Sequence, residues 1–148
     1  MRSTAIVVSL ALGVLQAGAC ATLGRGSDEG EEPDEGVSFE NGAVILSGTA
    51  LEDGSGSVLG TMRGKVPSMR VQLRNNACPQ ISLRNAVSFA GPVNPHVYVD
   101  GTRATDTCIL EQLRANDAQR VEVYPLGFTT RPGYGRHAQG LILIFMRS

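Results

Sequence analysis

The side chains able to do chemistry are few and widely spaced. Three cysteines (Cys20, Cys78, Cys108) and two histidines (His96, His137) are the sulfur and imidazole ligands of the 148-residue chain. A structural zinc site needs ligands paired across short gaps, because each must reach an ion only about 2 Å away. No two of these five stand so close. A zinc set of Cys78, His96, Cys108 and His137 is therefore not expected, and no metal or cofactor is assigned. The C-x-x-C spacing that lowers a thiol pKa for redox work is missing. Neither histidine adjoins a G-x-S-x-G turn or a comparable nucleophile. His96 falls on the polar side of an alternating run and His137 in a glycine-rich stretch, so both read as surface residues. Gly54-Ser55-Gly56 and Gly60 miss the dinucleotide fingerprint by one position and read as a flexible loop. The expectation is a protein that is not an enzyme, with no catalytic residue.

Bulk composition narrows the classes further. Basic and acidic residues number 13 and 14, for a net charge of −1, with 42% apolar residues and 5% aromatics. That balance excludes a polybasic nucleic-acid binder, a coiled coil and a wholly disordered chain. Even an eight-stranded transmembrane barrel would consume nearly all of this length.

The N-terminal segment reads as an export signal. Arg2 precedes an apolar run of 11 residues, AIVVSLALGVL at 5–15. Spanning a bilayer takes about 20, so the run fits a signal-peptide core over residues 1–19. Ala17-Gly18-Ala19 then leads into Cys20, an order that resembles a bacterial lipobox, with Ala17 standing where that motif has Leu. The resemblance implies that Cys20 is lipid-modified and becomes the first mature residue. Ala21 after it implies the outer membrane, with the chain held at its periplasmic face. Ordinary cleavage after the same small residues, giving a soluble periplasmic protein, is the other reading. Residues 20–36 form a tether: six acids (Asp28, Glu29, Glu31, Glu32, Asp34, Glu35) among glycines repel one another and keep a chain extended. Residues 37–148 hold 11 basic and 8 acidic residues, or +3. An oxidising compartment makes Cys78 and Cys108 disulfide candidates, worth about 3.5 kcal/mol if joined. Two separate buried thiols are the alternative.

Periodicity over 37–148 predicts an α/β (α+β) domain, a small mixed β-sheet with short helices. Val44-Ile45-Leu46 reads as a first strand. Ser57 can cap a helix carrying Val58, Leu59, Met62 and Val66, which Pro67 ends. Half-buried strands are expected at Met69, Val71 and Leu73, at Ile81 and Leu83, and at Val97 and Val99 before an Asp100-Gly101 turn. A short helix is expected over 108–114, halted by Asn116-Asp117, then a strand at Val121 and Val123. A glycine-rich loop (127–140) precedes the continuous apolar run 141–145, read as a central strand.

Five segments in this order resemble the plug domain of TonB-dependent receptors, over residues 51–148. Val66-Pro67-Ser68-Met69-Arg70-Val71 stands for the family's vPGv.v, and Pro79-Gln80-Ile81-Ser82-Leu83-Arg84-Asn85 for p.i.iRG. Pro95-His96-Val97-Tyr98-Val99-Asp100-Gly101 matches P.vyvDG. Residues 110–127, with Val121-Glu122-Val123 at their centre, match l..l...dverIEVl.G. Residues 134–147, beginning Tyr134-Gly135, match YG..A.GGVI.I.T+. The resemblance implies a plug-like fold in the bacterial envelope. It puts Arg84 and Glu122 on neighbouring strands, able to pair. It marks Arg84, Tyr98, Asp100, Arg103, Glu122 and Tyr134 as candidate interaction residues. The implied partners are an outer-membrane barrel protein or a TonB-type periplasmic protein, with the membrane reached through the lipid and no nucleic acid. Residues 1–148 hold no run of ten-residue alternating strands to close a pore, so a self-made channel is not expected. The expected role is accessory or binding work in outer-membrane transport; a structural or envelope-stress module that kept the fold is the alternative.

Overall fold

A computed structural model describes residues 36–53, 56–67, 69–75, 77–84 and 93–148. The export segment, Cys20, all of the acidic tether except Gly36, the Gly54-Ser55 pair and Asn85 lie outside the described residues.

The sheet begins with two strands where one was expected. β1 (Val37–Glu40) and β2 (Ala43–Ser47) form a hairpin closed by Asn41 and Gly42, both at positive φ (49° and 78°). Such a pair matches the right-handed twist of the flanking strands. The same chemistry recurs where β5 (His96–Val99) turns into β6 (Thr102–Arg103) through Asp100 and Gly101, at φ 46° and 80°. The expected turn is thus a hairpin that leads into a two-residue edge strand. With β7 (Ala118–Tyr124) and β8 (Leu141–Met146) the spatial order is β1-β2-β7-β8-β5-β6. Only the β5–β8 pairing is parallel, so the sheet is mixed and β8 is interior, as its unbroken apolar run implies.

One face of the sheet packs on helices. α1 (Thr49–Glu52) follows β2 directly. α2 (Val58–Lys65) starts where the Ser57 hydroxyl accepts the Gly60 N–H, and it stops because Val66 must be extended before Pro67. α3 (Ile109–Gln112) is shorter than the expected 108–114; Leu113 and Arg114 are extended, and a separate 3-10 turn follows over Ala115–Asp117. Leu46, Leu51, Met62, Ile81, Leu110, Val121, Ile142 and Ile144 fill the space between, each fully buried. Each such side chain contributes about 1.5–3 kcal/mol by leaving water.

β3 (Arg70–Arg74) and β4 (Ala77–Ser82) depart from expectation. They pair only with each other, as a separate two-stranded sheet, and Leu73 is 61% exposed rather than half-buried. Pro79 has no N–H to give a further strand. The outer edge of β4 is met by side chains instead: Asn94 Oδ1 accepts the Ile81 N–H at 2.8 Å, and the Thr107 hydroxyl donates to the Pro79 carbonyl. The Cys78–Cys108 disulfide, Cα atoms 4.6 Å apart, fastens β4 to the start of α3. Among the described residues no helix is long and apolar enough to cross a membrane.

Candidate functional site

The second face of the sheet carries a smaller core of Ala43, Ile45, Tyr124, Leu141 and Leu143, with Tyr98, Tyr134 and Phe145 against it. The loop between β7 and β8, residues 125–140, supplies Tyr134. Its shape is set at Gly127, where φ is +69° and an added Cβ would lie 1.6 Å from the His137 carbonyl oxygen. The His137 N–H donates to the Gly127 carbonyl at 2.7 Å, closing the loop across its neck. At the far end Gly140 has φ +101° and sits against Leu83. Gly135, in contrast, needs no special backbone and has open space around it, so the tight points of the glycine-rich loop are Gly127 and Gly140.

The closed loop brings the two histidines together. Their ring centroids are 4.0 Å apart, and both rings are half-buried rather than on the surface. Tyr98 meets the Tyr134 ring edge-on at 5.0 Å, and its hydroxyl lies 3.5 Å from His137 Nε2. Arg103, paired across the hairpin with Tyr98, places Nη2 3.4 Å from His96 Nε2. Burial lowers the His96 pKa, and His137 and Arg103 lower it further. His137 is lowered by burial and by Arg103. Both imidazoles are therefore held neutral near pH 7. His96 Nδ1 is buried without a hydrogen-bond partner among the described residues. The cluster can offer aromatic edges, a phenol and one guanidinium to a partner at the β5–β6 edge. Of the candidate interaction residues, Tyr98, Arg103 and Tyr134 are assembled here.

Glu122 lies elsewhere on the same face, in β7, and is 1% exposed. Arg131 donates to both its oxygens, Arg120 Nε donates at 2.7 Å and the Tyr124 hydroxyl at 2.8 Å. Burial acts to raise its pKa, but the hydrogen bonds from Arg131, Tyr124 and Arg120 prevail and hold it below the usual carboxylate range. Burial raises the Tyr124 phenol, and its bond to Glu122 adds to this. The expected Arg84–Glu122 pairing is not formed. β4 is not a neighbour of β7, and the Arg84 guanidinium donates to the Ala138 carbonyl at 2.5 Å, holding the loop from its other side. Asp100 ties its turn to the end of β8: Oδ1 accepts the Met146 N–H at 2.9 Å.

Sequence reasoning missed Arg120, Arg131 and the histidine stack. The alternation of Arg120, Glu122 and Tyr124 along β7 was the one available signal, as it puts all three on one face. Near the disulfide, Asp106 stands with Cys78 and Cys108 in a metal-like triad. The two sulfurs are bonded to each other, and Asp106 Oδ1 accepts the Cys108 N–H, so the arrangement is a capped turn. At the turn end of β1–β2, Phe39, Val44, Pro67, Leu83, Leu126 and Arg84 line an open apolar recess of about 450 Å³.

No protein-family model matches this chain, and no curated protein matches it in sequence. Among solved structures, that of the RagAB peptide importer in its closed-closed state is similar, with a TM-score of 0.55 and 20% identity over 71% of this chain. The chain spans 12% of the importer chain's length, so what is shared is the fold of one part of it.

Proposed function

We propose that residues 37–148 are a plug-like binding module of the bacterial envelope, acting without catalysis as an accessory to outer-membrane uptake. The observation that carries this reading is the coincidence of motif order and fold. The five plug-like segments fall in sequence on β3, β4, β5, β7 and β8, and the resulting α+β fold resembles one part of an outer-membrane peptide importer. The partner in this reading is an outer-membrane barrel or a TonB-type periplasmic protein, met at the Tyr98–Arg103 edge and Tyr134. The chain is held at the periplasmic face by lipid on Cys20. A photo-crosslinking amino acid at position 103 or 134, in intact cells, tests it. The expected product is a covalent adduct with an outer-membrane or energy-transducing protein. Recovery of no envelope protein would overturn the reading. A deletion strain with unaltered uptake and a fragile envelope would point to the structural module instead, and mass spectrometry of the mature N-terminus decides the anchor.

A further inference from the structure

Between Asp53 and Asp100 the sequence holds no acidic residue and five basic ones: Arg63, Lys65, Arg70, Arg74 and Arg84. Arg84 is engaged with Ala138. The other four occupy the end of α2 and the length of β3, with Arg63, Arg70 and Arg74 exposed and Lys65 half-buried. The ion pairs among the described residues use Arg120, Arg131 and Arg147, and none uses these four. The helices packed on α2 bring Glu52 from α1 and Glu111 from α3, and Glu52 is already paired with Arg147 at 2.7 Å. Asp53 ends α1 and Asp106 stands beside Cys78 in β4, but no ion pair among the described residues joins either of them to these four cations, so the end of α2 and β3 carry an excess of positive charge.

A matching negative charge lies in the same chain. Residues 28–35 read DEGEEPDE, six acids and no base. We propose that this acidic segment docks across the basic face made by the end of α2 and β3. Its reach is sufficient. The Gly36 carbonyl accepts the Ser47 N–H at 2.9 Å, which fixes the start of β1 beside α1. Phe39 of β1 and Pro67, just past α2, line one recess, so the strand that follows the segment runs beside the end of α2. Eight extended residues cover about 26–29 Å. Exposed ion pairs are individually weak. A segment tethered next to its site nevertheless meets it at an effective concentration on the order of millimolar, so several weak pairs act together. Seated there, the segment screens the basic face from other anions, including lipid phosphates. The inference stands apart from the transport reading, since it needs only the chain itself.

Lys65 is the one lysine in the sequence, so zero-length carbodiimide coupling reports the carboxylates that touch it. The purified full chain, mixed from ¹⁵N-labelled and unlabelled protein, is coupled at low salt and mapped by mass spectrometry. The expected result is an isopeptide from Lys65 to an acid within 28–35 of the same molecule. Its yield should fall about tenfold in 1 M salt, where screening acts within about 3 Å. A variant with all six acids changed to Asn or Gln should bind phosphatidylglycerol vesicles about tenfold more tightly than the parent, its thermal unfolding unchanged. Coupling of Lys65 only to Glu111 or Glu52, coupling only between labelled and unlabelled copies, or equal vesicle binding by the two proteins would each overturn the proposal.

Discussion

Arg131 reaches from the β7–β8 loop to grip both carboxylate oxygens of Glu122 in the middle of the sheet, while its guanidinium lies 5.0 Å from the centre of the Phe145 ring. A loop residue and a buried strand residue are thereby made one unit. Breaking a buried pair by removing one partner is strongly destabilising, because the remaining charge loses its compensation. Arg131 and Arg120 keep partial contact with water, which places the effect at the low end of that range. Glu122→Gln, which preserves volume, is expected to cost about 3 kcal/mol, read as a lower urea midpoint with an unchanged slope. The pH dependence has a definite sign. The folded carboxyl titrates below its unfolded value, so its contribution is complete above about pH 4.5 and is lost as pH falls through the folded pKa. Acid titration of stability should be visibly shallower in the Gln variant, and identical curves would contradict this account of the clamp.

The histidine stack acts in a different pH window. Both imidazoles are neutral in the fold and titrate below 6.5. Their contribution is full above that value and is lost as pH falls from about 6.5 through the folded pKa. A proton on either ring faces the other ring and Arg103, with Tyr98 and Tyr134 completing the wall. The loop should therefore loosen at its neck before the Glu122 clamp weakens. Hydrogen exchange at the His137 and Gly140 amides, corrected for intrinsic rates, is expected to accelerate between pH 7.5 and 5.5. Arg103→Gln should reduce that acceleration. An equal response with and without the arginine would remove the electrostatic explanation.

Reduction of the disulfide should act mainly on the β3–β4 hairpin. The bond spans a sequence separation of 30, for which loop closure contributes about 3.5 kcal/mol. Without it, the outer edge of β4 is held by the side-chain bonds from Thr107 and Asn94. A Cys78→Ser, Cys108→Ser double variant is expected to unfold at a lower denaturant concentration, with the largest rise in exchange at the amides of β3 and β4. Uniform acceleration across β7 and β8 as well would mean that the hairpin is not a separable unit.

Much of the fold was legible because period-two and period-3.6 patterns report burial, and burial here follows the sheet. The unbroken run 141–145 marked β8 as interior, and Ser57 and Pro67 bounded α2 correctly. β1 escaped because its edge position leaves Phe39 67% and Val37 39% exposed, so its pattern carries no burial signal, although Asn41-Gly42 is itself a hairpin signature. The separation of β3 and β4 was hidden for the opposite reason. Val71 and Ile81 alternate as strand residues should, and alternation cannot say which strand is the neighbour. At the candidate site, single residues were visible but their grouping was not. His96 and His137 meet only because the loop folds back at Gly127, and Arg131 finds Glu122 through the same fold-back.

That fold-back gives a sharp contrast between two glycines of one loop. At Gly127 a methyl group would meet backbone, the carbonyl oxygen of His137 at 1.6 Å, in a conformation that side chains rarely adopt. Backbone cannot yield as a side-chain end can. The left-handed conformation alone costs about 1–2 kcal/mol, and the neck hydrogen bond from the His137 N–H is lost with it. Gly127→Ala is therefore expected to lower stability by at least about 2 kcal/mol and to abolish exchange protection at His137. At Gly135 the φ is ordinary and nothing lies within 4 Å, so Gly135→Ala should be neutral or slightly stabilising through the unfolded chain. Thermal unfolding of the two variants side by side checks the claim. A Gly135 variant as damaged as the Gly127 variant would show that the loop's glycines act through general flexibility and not through one close approach.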